Sequence, residues 1–253
     1  MDENLNPETE STRPATGADQ VQRVRDAVGQ ALIGQREVVT QVLLALLSGG
    51  HVLLEGVPGL GKTLLVRALA KALDVNFGRI QFTPDLMPSD VSGHAVYDPK
   101  SETFRIRRGP VFTNLLLADE INRAPAKTQS ALLEVMQERQ VTIEGKAIPL
   151  EPPFLTVATQ NPLESEGTYP LPEAQLDRFL IKVHIDYPTR EEEEALVASV
   201  TQGHVGDRLD VSRVQQVVDP ASILEAQRIA AGLTVDPAVL AYAVEIGRST
   251  RTW

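Results

Sequence analysis

The sequence predicts an α/β fold built on a mainly parallel sheet, followed by an all-helical segment. Three observations predict it. Short apolar runs of strand length alternate with longer helical runs. A glycine loop joins the first of these strands to a strong helix. Strand signals then stop after Tyr187-Pro188. The chain has 253 residues; at roughly 100–200 residues per domain, that is one large domain or one and a half ordinary ones. With 42% hydrophobic and 23% charged residues it can bury a sizeable core.

Each element has its own signal. Residues 1–19 hold five acids and one Arg among Pro, Thr, Ser and Asn, which predicts a disordered tail. VQRVRDAVGQAL (21–32) puts Val21, Val24, Val28 and Leu32 on one helical face. Gly34 breaks that pattern, and QREVVTQVLLALLSGG (35–50) resumes it and ends on two glycines, a C-cap signal. HVLLEG (51–56) reads as a buried parallel strand, and KTLLVRALAKAL (62–73) as a helix. Further strands are expected in NFGRIQF (76–82), NLLLADE (114–120), FLTVATQN (154–161) and FLIKVHID (179–186), with a helix over AKTQSALLEVMQERQ (126–140). Thr189 with Glu192 forms a capping-box signature, and the acids 191–194 suit a helix first turn. Asp236-Pro237 reads as N-cap and N1 of another helix. Residues 188–253 are therefore expected to be helical, with a domain boundary near residue 187.

Composition excludes several functions. The net charge is −10, and the sequence pI near 5.0 argues against a general polyanion-binding surface. Six Phe, four Tyr and one Trp give little material for base stacking. Cysteine is absent, which removes disulfides, thiolate metal sites and Cys nucleophiles together. The four histidines, His51, His94, His184 and His204, are dispersed without metal-ligand spacing. No apolar run approaches the roughly 18 residues of a membrane span. The acidic start MDENLNPETE is the opposite of a signal peptide. A soluble cytoplasmic protein is expected.

The strongest motif is Gly56-Val57-Pro58-Gly59-Leu60-Gly61-Lys62-Thr63, which fits G-x-x-x-x-G-K-[ST] and runs from a strand into the helix that continues with Leu64. Glycines let the backbone wrap a phosphate with its N–H groups facing inward, and the helix adds the positive end of its dipole. Lys62 would reach the β- and γ-phosphates, and the Thr63 hydroxyl would ligate Mg²⁺. A second requirement is a carboxylate at the end of a neighbouring strand. NLLLADE supplies Asp119, expected to hold Mg²⁺ through water, and Glu120, expected to polarise the attacking water as general base.

Together these motifs resemble AAA+ ATPases. The strings GHVLLEGVPGLGKT (50–63), RIQFTPDLMPSDVSG (79–93), RRGPVFTNLLLADEINRAPAKTQSALLEVMQERQVT (107–142), ATQNP (158–162) and LPEAQLDRFL (171–180) narrow the resemblance to the MoxR family. It implies an AAA+ P-loop domain with a five-stranded sheet over residues 20–187, and a helical lid from 188. The cofactors it implies are ATP and Mg²⁺. Asn161 matches the sensor-1 polar residue; without the resemblance it is a turn residue before Pro162. Arg178 matches the arginine finger, which this family supplies to the neighbouring subunit of a ring, usually a hexamer; read alone it is a surface arginine. Ile33 and Gly34 match the segment beside adenine, with a plain helix break as the rival. Residues 87–110 resemble the helix-2 insert, and 140–151 a hairpin before sensor 1 with its turn at Glu144-Gly145-Lys146. Such elements face the pore or a partner in related rings, or are passive loops. Arg105, Arg107 and Arg108 form the one dense basic patch and either contact a neighbouring subunit, nucleotide or partner, or face solvent.

The family's lid carries a further arginine beyond the segment resembling VEIGRSTRTW. Only 66 residues follow Tyr187 here, so the lid reads as truncated. The implied activity is ATP hydrolysis that remodels or matures partner proteins, von Willebrand factor A-domain proteins among them. The alternatives are the motor subunit of a metal chelatase and a nucleotide-gated scaffold without turnover.

Overall fold

The computed structural model describes residues 17–162, 167–201 and 210–252. Most of the stretch read as a tail lies outside them, as does His204; α1 (Gly17–Gly29) starts inside that stretch. In chain order there follow α2 (Arg36–Leu47), β1 (Val52–Glu55), α3 (Lys62–Ala72), β2 (Phe77–Gln81), α4 (Pro88–Ser92), β3 (Gly93–Asp98), β4 (Thr103–Arg108) and β5 (Leu115–Asp119). Then come α5 (Ala126–Glu138), β6 (Gln140–Ile143), β7 (Lys146–Pro149), β8 (Leu155–Gln160), α6 (Glu173–Leu176), β9 (Ile181–His184), α7 (Arg190–Thr201), α8 (Pro220–Ala231) and α9 (Pro237–Ser249).

Five strands form one sheet in the order β2-β5-β8-β1-β9, and every neighbouring pair is parallel. The α/β fold with a mainly parallel sheet is therefore what the chain adopts. Alternate residues of the central strands β1, β5 and β8 enter different cores. Leu54, Leu115, Leu117, Leu155 and Val157 pack under α1, α2 and α3. Leu53, Leu116, Ala118 and Ala158 pack on the other face, against Leu132 and Met136 of α5. Both faces of these three strands are covered, so they read as continuous apolar runs rather than as alternation. Each fully buried Leu contributes about 2 kcal/mol of transfer free energy.

The insert at 87–110, read in the sequence only through its resemblance, contains a short helix and an antiparallel ribbon, β3–β4. The β6–β7 hairpin forms where it was expected, with Glu144 and Gly145 both at positive φ in its turn. At the start of α7 the Thr189 N–H donates to Glu192 Oε2 at 2.9 Å, and the Glu192 N–H to Thr189 Oγ1 at 3.3 Å, the reciprocal capping box. The chain then returns to the core. The Val217 and Val218 N–H groups both donate to Ala72 O, and Gln227 Nε2 on α8 donates to Leu46 O at 2.6 Å. On α9 the apolar side chains Val239, Leu240, Tyr242, Val244 and Ile246 are exposed. Among the described residues, no helix is long and apolar enough to cross a membrane.

His51, just before β1, is 5% exposed. Its Nδ1 accepts from the Thr156 N–H at 3.0 Å, and its Nε2 lies 3.0 Å from Met136 O. Only the neutral ring with the proton on Nε2 satisfies both contacts. The ring thus ties β1, β8 and α5 together as a neutral group, and burial pushes its pKa down to about 4. Because the unfolded chain takes up that proton first, near pH 6.5, stability is complete above that pH and is lost as pH falls towards 4. Between pH 7 and pH 5 this residue alone should remove about 2 kcal/mol of unfolding free energy. Urea denaturation at both pH values should show that loss in the wild type and a smaller one in His51→Gln.

Candidate nucleotide site

The site stands at the carboxyl ends of the central strands, where an open parallel sheet offers a crevice. A cavity of about 260 Å³ there is lined by Pro58, Gly59, Gly61, Lys62, Thr63, Leu64, Asp119, Glu120 and Asn161. The β1–α3 loop forms one wall. Gly59 and Gly61 take φ of +89° and +75°, conformations that a Cβ makes costly. Gly56 answers a different need: a Cβ there would sit 2.7 Å from the backbone oxygen of Ile185. Gly56, Val57 and Leu60 belong to the loop but do not line the cavity. Lys62 opens α3, and its Nζ donates to Gly56 O at 2.5 Å, folding the ammonium back over its own loop. Burial pushes Lys62 below the usual lysine range, opposed by the charges of Asp119 and Glu120.

The opposite wall is the acid pair at the end of β5. Register pairs Ala118 with Ala158 across the β5–β8 seam, which leaves Asp119 beside Thr159. The Thr159 hydroxyl is fully buried, donates to Asp119 Oδ1 at 2.7 Å and accepts from the Glu120 N–H at 2.8 Å. Arg79 Nη2 lies 2.6 Å from the other carboxylate oxygen, Oδ2. Glu120 has φ +57° and ψ +50°, a left-handed turn off the strand. Its Oε2 accepts from Gln81 Nε2 at 2.8 Å and Arg123 Nη1 at 3.1 Å. Asn161, one residue past β8, is 5% exposed and completes the lining.

Two sets of sequence-predicted residues lie elsewhere. Ile33 and Gly34 are half-buried and outside the lining, although their neighbour Leu32 would lie 3.0 Å from a Cβ on Gly61. Gly34 itself has φ +81° and faces Pro188 and Glu192, so this segment bridges the phosphate-loop side and the start of α7. Arg178 is exposed, two residues past α6, and does not line the cavity. The sequence reading missed Thr159, Arg79, Gln81 and Arg123. Thr159 and Gln81 stand at or next to the carboxyl ends of predicted strands, which is the signal that could have found them.

The donor set suits Mg²⁺. It offers one hydroxyl, Thr63, and one carboxylate, Asp119, around an open cavity. Among the described residues no three His, Asp or Glu converge on a metal site. Mg²⁺ keeps several waters and takes phosphate oxygens with one or two protein groups, so a sparse set fits it.

The model of the ATPase family associated with various cellular activities (AAA) matches residues 51–181. Chaperone MoxR1 of Mycobacterium tuberculosis is 49% identical over 88% of this chain, and Protein MoxR of Paracoccus denitrificans is 32% identical over 90%. The chain belongs to the MoxR family of AAA+ ATPases. It spans 58% of the Mycobacterium protein and 70% of the Paracoccus one. A crystal structure of a Cytophaga hutchinsonii protein superposes on 90% of this MoxR-family chain and 67% of its own, with TM-score 0.80 and 47% identity.

The loop geometry ranks two substitutions. Gly59→Ala should cost about 1 kcal/mol, because its Cβ meets nothing within 4 Å and only the positive φ resists it. Gly56→Ala forces the β1 end away from Ile185 and should cost clearly more. Thermal denaturation should give this order; equal melting temperatures for the two variants would contradict it.

Proposed function

We propose that this chain binds ATP with Mg²⁺ in the cavity and hydrolyses it, and that it does so in a ring of identical subunits. The observation that carries the reading is the convergence of Lys62, Thr63, Asp119, Glu120 and Asn161 on one cavity at the N-terminus of α3. Phosphoryl transfer needs little covalent help from a protein; it needs positioning and charge stabilisation. In this reading the β1–α3 loop and the α3 N-terminus take the phosphates, and Lys62 leaves Gly56 O for the β- and γ-phosphate oxygens. Bound Mg²⁺ would neutralise charge on those oxygens, with Thr63 and Asp119 as its protein-side groups. Glu120 polarises the attacking water, and the Asn161 amide orients that water against the γ-phosphate. Ile33 and Gly34 would pack beside the adenine, as the family resemblance implies.

Arg178 supplies the argument for a ring. It is exposed and outside its own cavity, as expected of a guanidinium that completes the site of a neighbouring copy. The family resemblance supplies the hexamer. The name of the Mycobacterium relative, a chaperone, supports protein remodelling as the use of the cycle. Von Willebrand factor A-domain proteins are the client class the resemblance implies.

Glu120→Gln tests both halves at once. Nucleotide affinity should stay near wild type while turnover falls about 10²- to 10⁴-fold, the usual contribution of a positioned base. Light scattering on this variant with saturating ATP should give a mass several times that of the protomer. Wild-type turnover would remove Glu120 from the role, and a protomer mass with ATP bound would contradict the ring.

A further inference from the structure

Arg79 is in direct contact with the metal-side acid, and the AAA+ motifs do not account for it. It stands on β2, the edge strand of the sheet, two residues before Gln81. Register pairs Gln81 with Asp119 and Arg79 with Leu117, so the guanidinium reaches Asp119 diagonally along the edge. One nitrogen, Nη2, donates to Asp119 Oδ2 at 2.6 Å and to Gln81 Oε1 at 2.8 Å. The Asp119 side chain is 15% exposed and that of Arg79 46%. The pair is therefore charge-assisted and sheltered at the carboxylate, while the guanidinium has solvent to swing into.

We infer that Arg79 is the internal counter-cation of Asp119, and that a divalent cation recruited by that carboxylate has to compete with it. This rests on the proposed ATP–Mg²⁺ reading of the site. Thr159 already fixes Oδ1, so Arg79 governs the charge and aim of the second oxygen alone. Two cations sharing one carboxylate repel, and the mobile one yields. Arg79 is a positioning residue: it acts through Asp119. Its release would also free Gln81 Oε1 at the sheet edge, a few residues before the β3–β4 insert begins.

The test measures binding of a fluorescent adenosine diphosphate to the full chain while Mg²⁺ is titrated, for wild type, Arg79→Met, Arg79→Gln and Arg79→Lys. The neutral variants Arg79→Met and Arg79→Gln should need about fivefold less Mg²⁺ at half-saturation, the scale of a partly exposed ion pair. Arg79→Lys, which keeps the cation, should stay near wild type. Arg79→Met should also lower the melting temperature without Mg²⁺ more than with Mg²⁺ and nucleotide; a merely structural role would lower both equally. Half-saturation unchanged or shifted upward in both neutral variants would overturn the role of Arg79. Nucleotide binding that ignores Mg²⁺ in the wild type would overturn the metal reading of the site itself.

Discussion

One buried hydroxyl organises the acid side of this site. Thr159 donates to Asp119 Oδ1 and accepts from the backbone N–H of Glu120, so a single oxygen fixes the carboxylate of one acid and the main chain of the next. Both groups lie at the end of the β5–β8 seam, with Thr159 fully buried between the layers. Removing the hydroxyl would orphan a sheltered N–H, at a cost of about 1–3 kcal/mol. The peptide between Asp119 and Glu120 points its carbonyl at the Phe82 N–H and its own N–H at Thr159. Glu120 then turns left-handed off the strand, and its carboxylate reaches Gln81 and Arg123.

The two walls of the cavity are built by different means. The β1–α3 wall is local: glycines, a lysine and a helix start within eight residues. The acid wall is a product of sheet register, with partners about 40 positions apart drawn from three strands. The first wall is set by backbone conformation and the second by the β2-β5-β8 strand order.

That division decides what the sequence could reveal. The loop from Gly56 to Thr63 and the acids at the end of NLLLADE were legible because their chemistry dictates a contiguous pattern. The three central strands, β1, β5 and β8, were legible because burial on both faces leaves apolar runs. Arg79, Gln81 and Thr159 were not: their strings carry the family resemblance, but each side chain gains its role only when register brings it to Asp119 or Glu120. The β3–β4 ribbon was missed because much of it is exposed, so its Phe104 and Ile106 alternation carries no burial signal. The return of α8 onto α2 was equally hidden. It rests on a few contacts such as Ile223 in the core and Gln227 on Leu46 O, between segments far apart in the chain.

The most direct measurement is Mg²⁺-dependent nucleotide affinity in Thr159→Val, a change that keeps shape and removes the hydroxyl, with Thr159→Ser as its control. If the hydroxyl sets the acid wall, Thr159→Val loses most of the gain in affinity that Mg²⁺ provides and retains the metal-free affinity of the phosphate loop, and Thr159→Ser restores that gain. A Thr159→Val protein whose Mg²⁺ dependence matches the wild type would contradict the account.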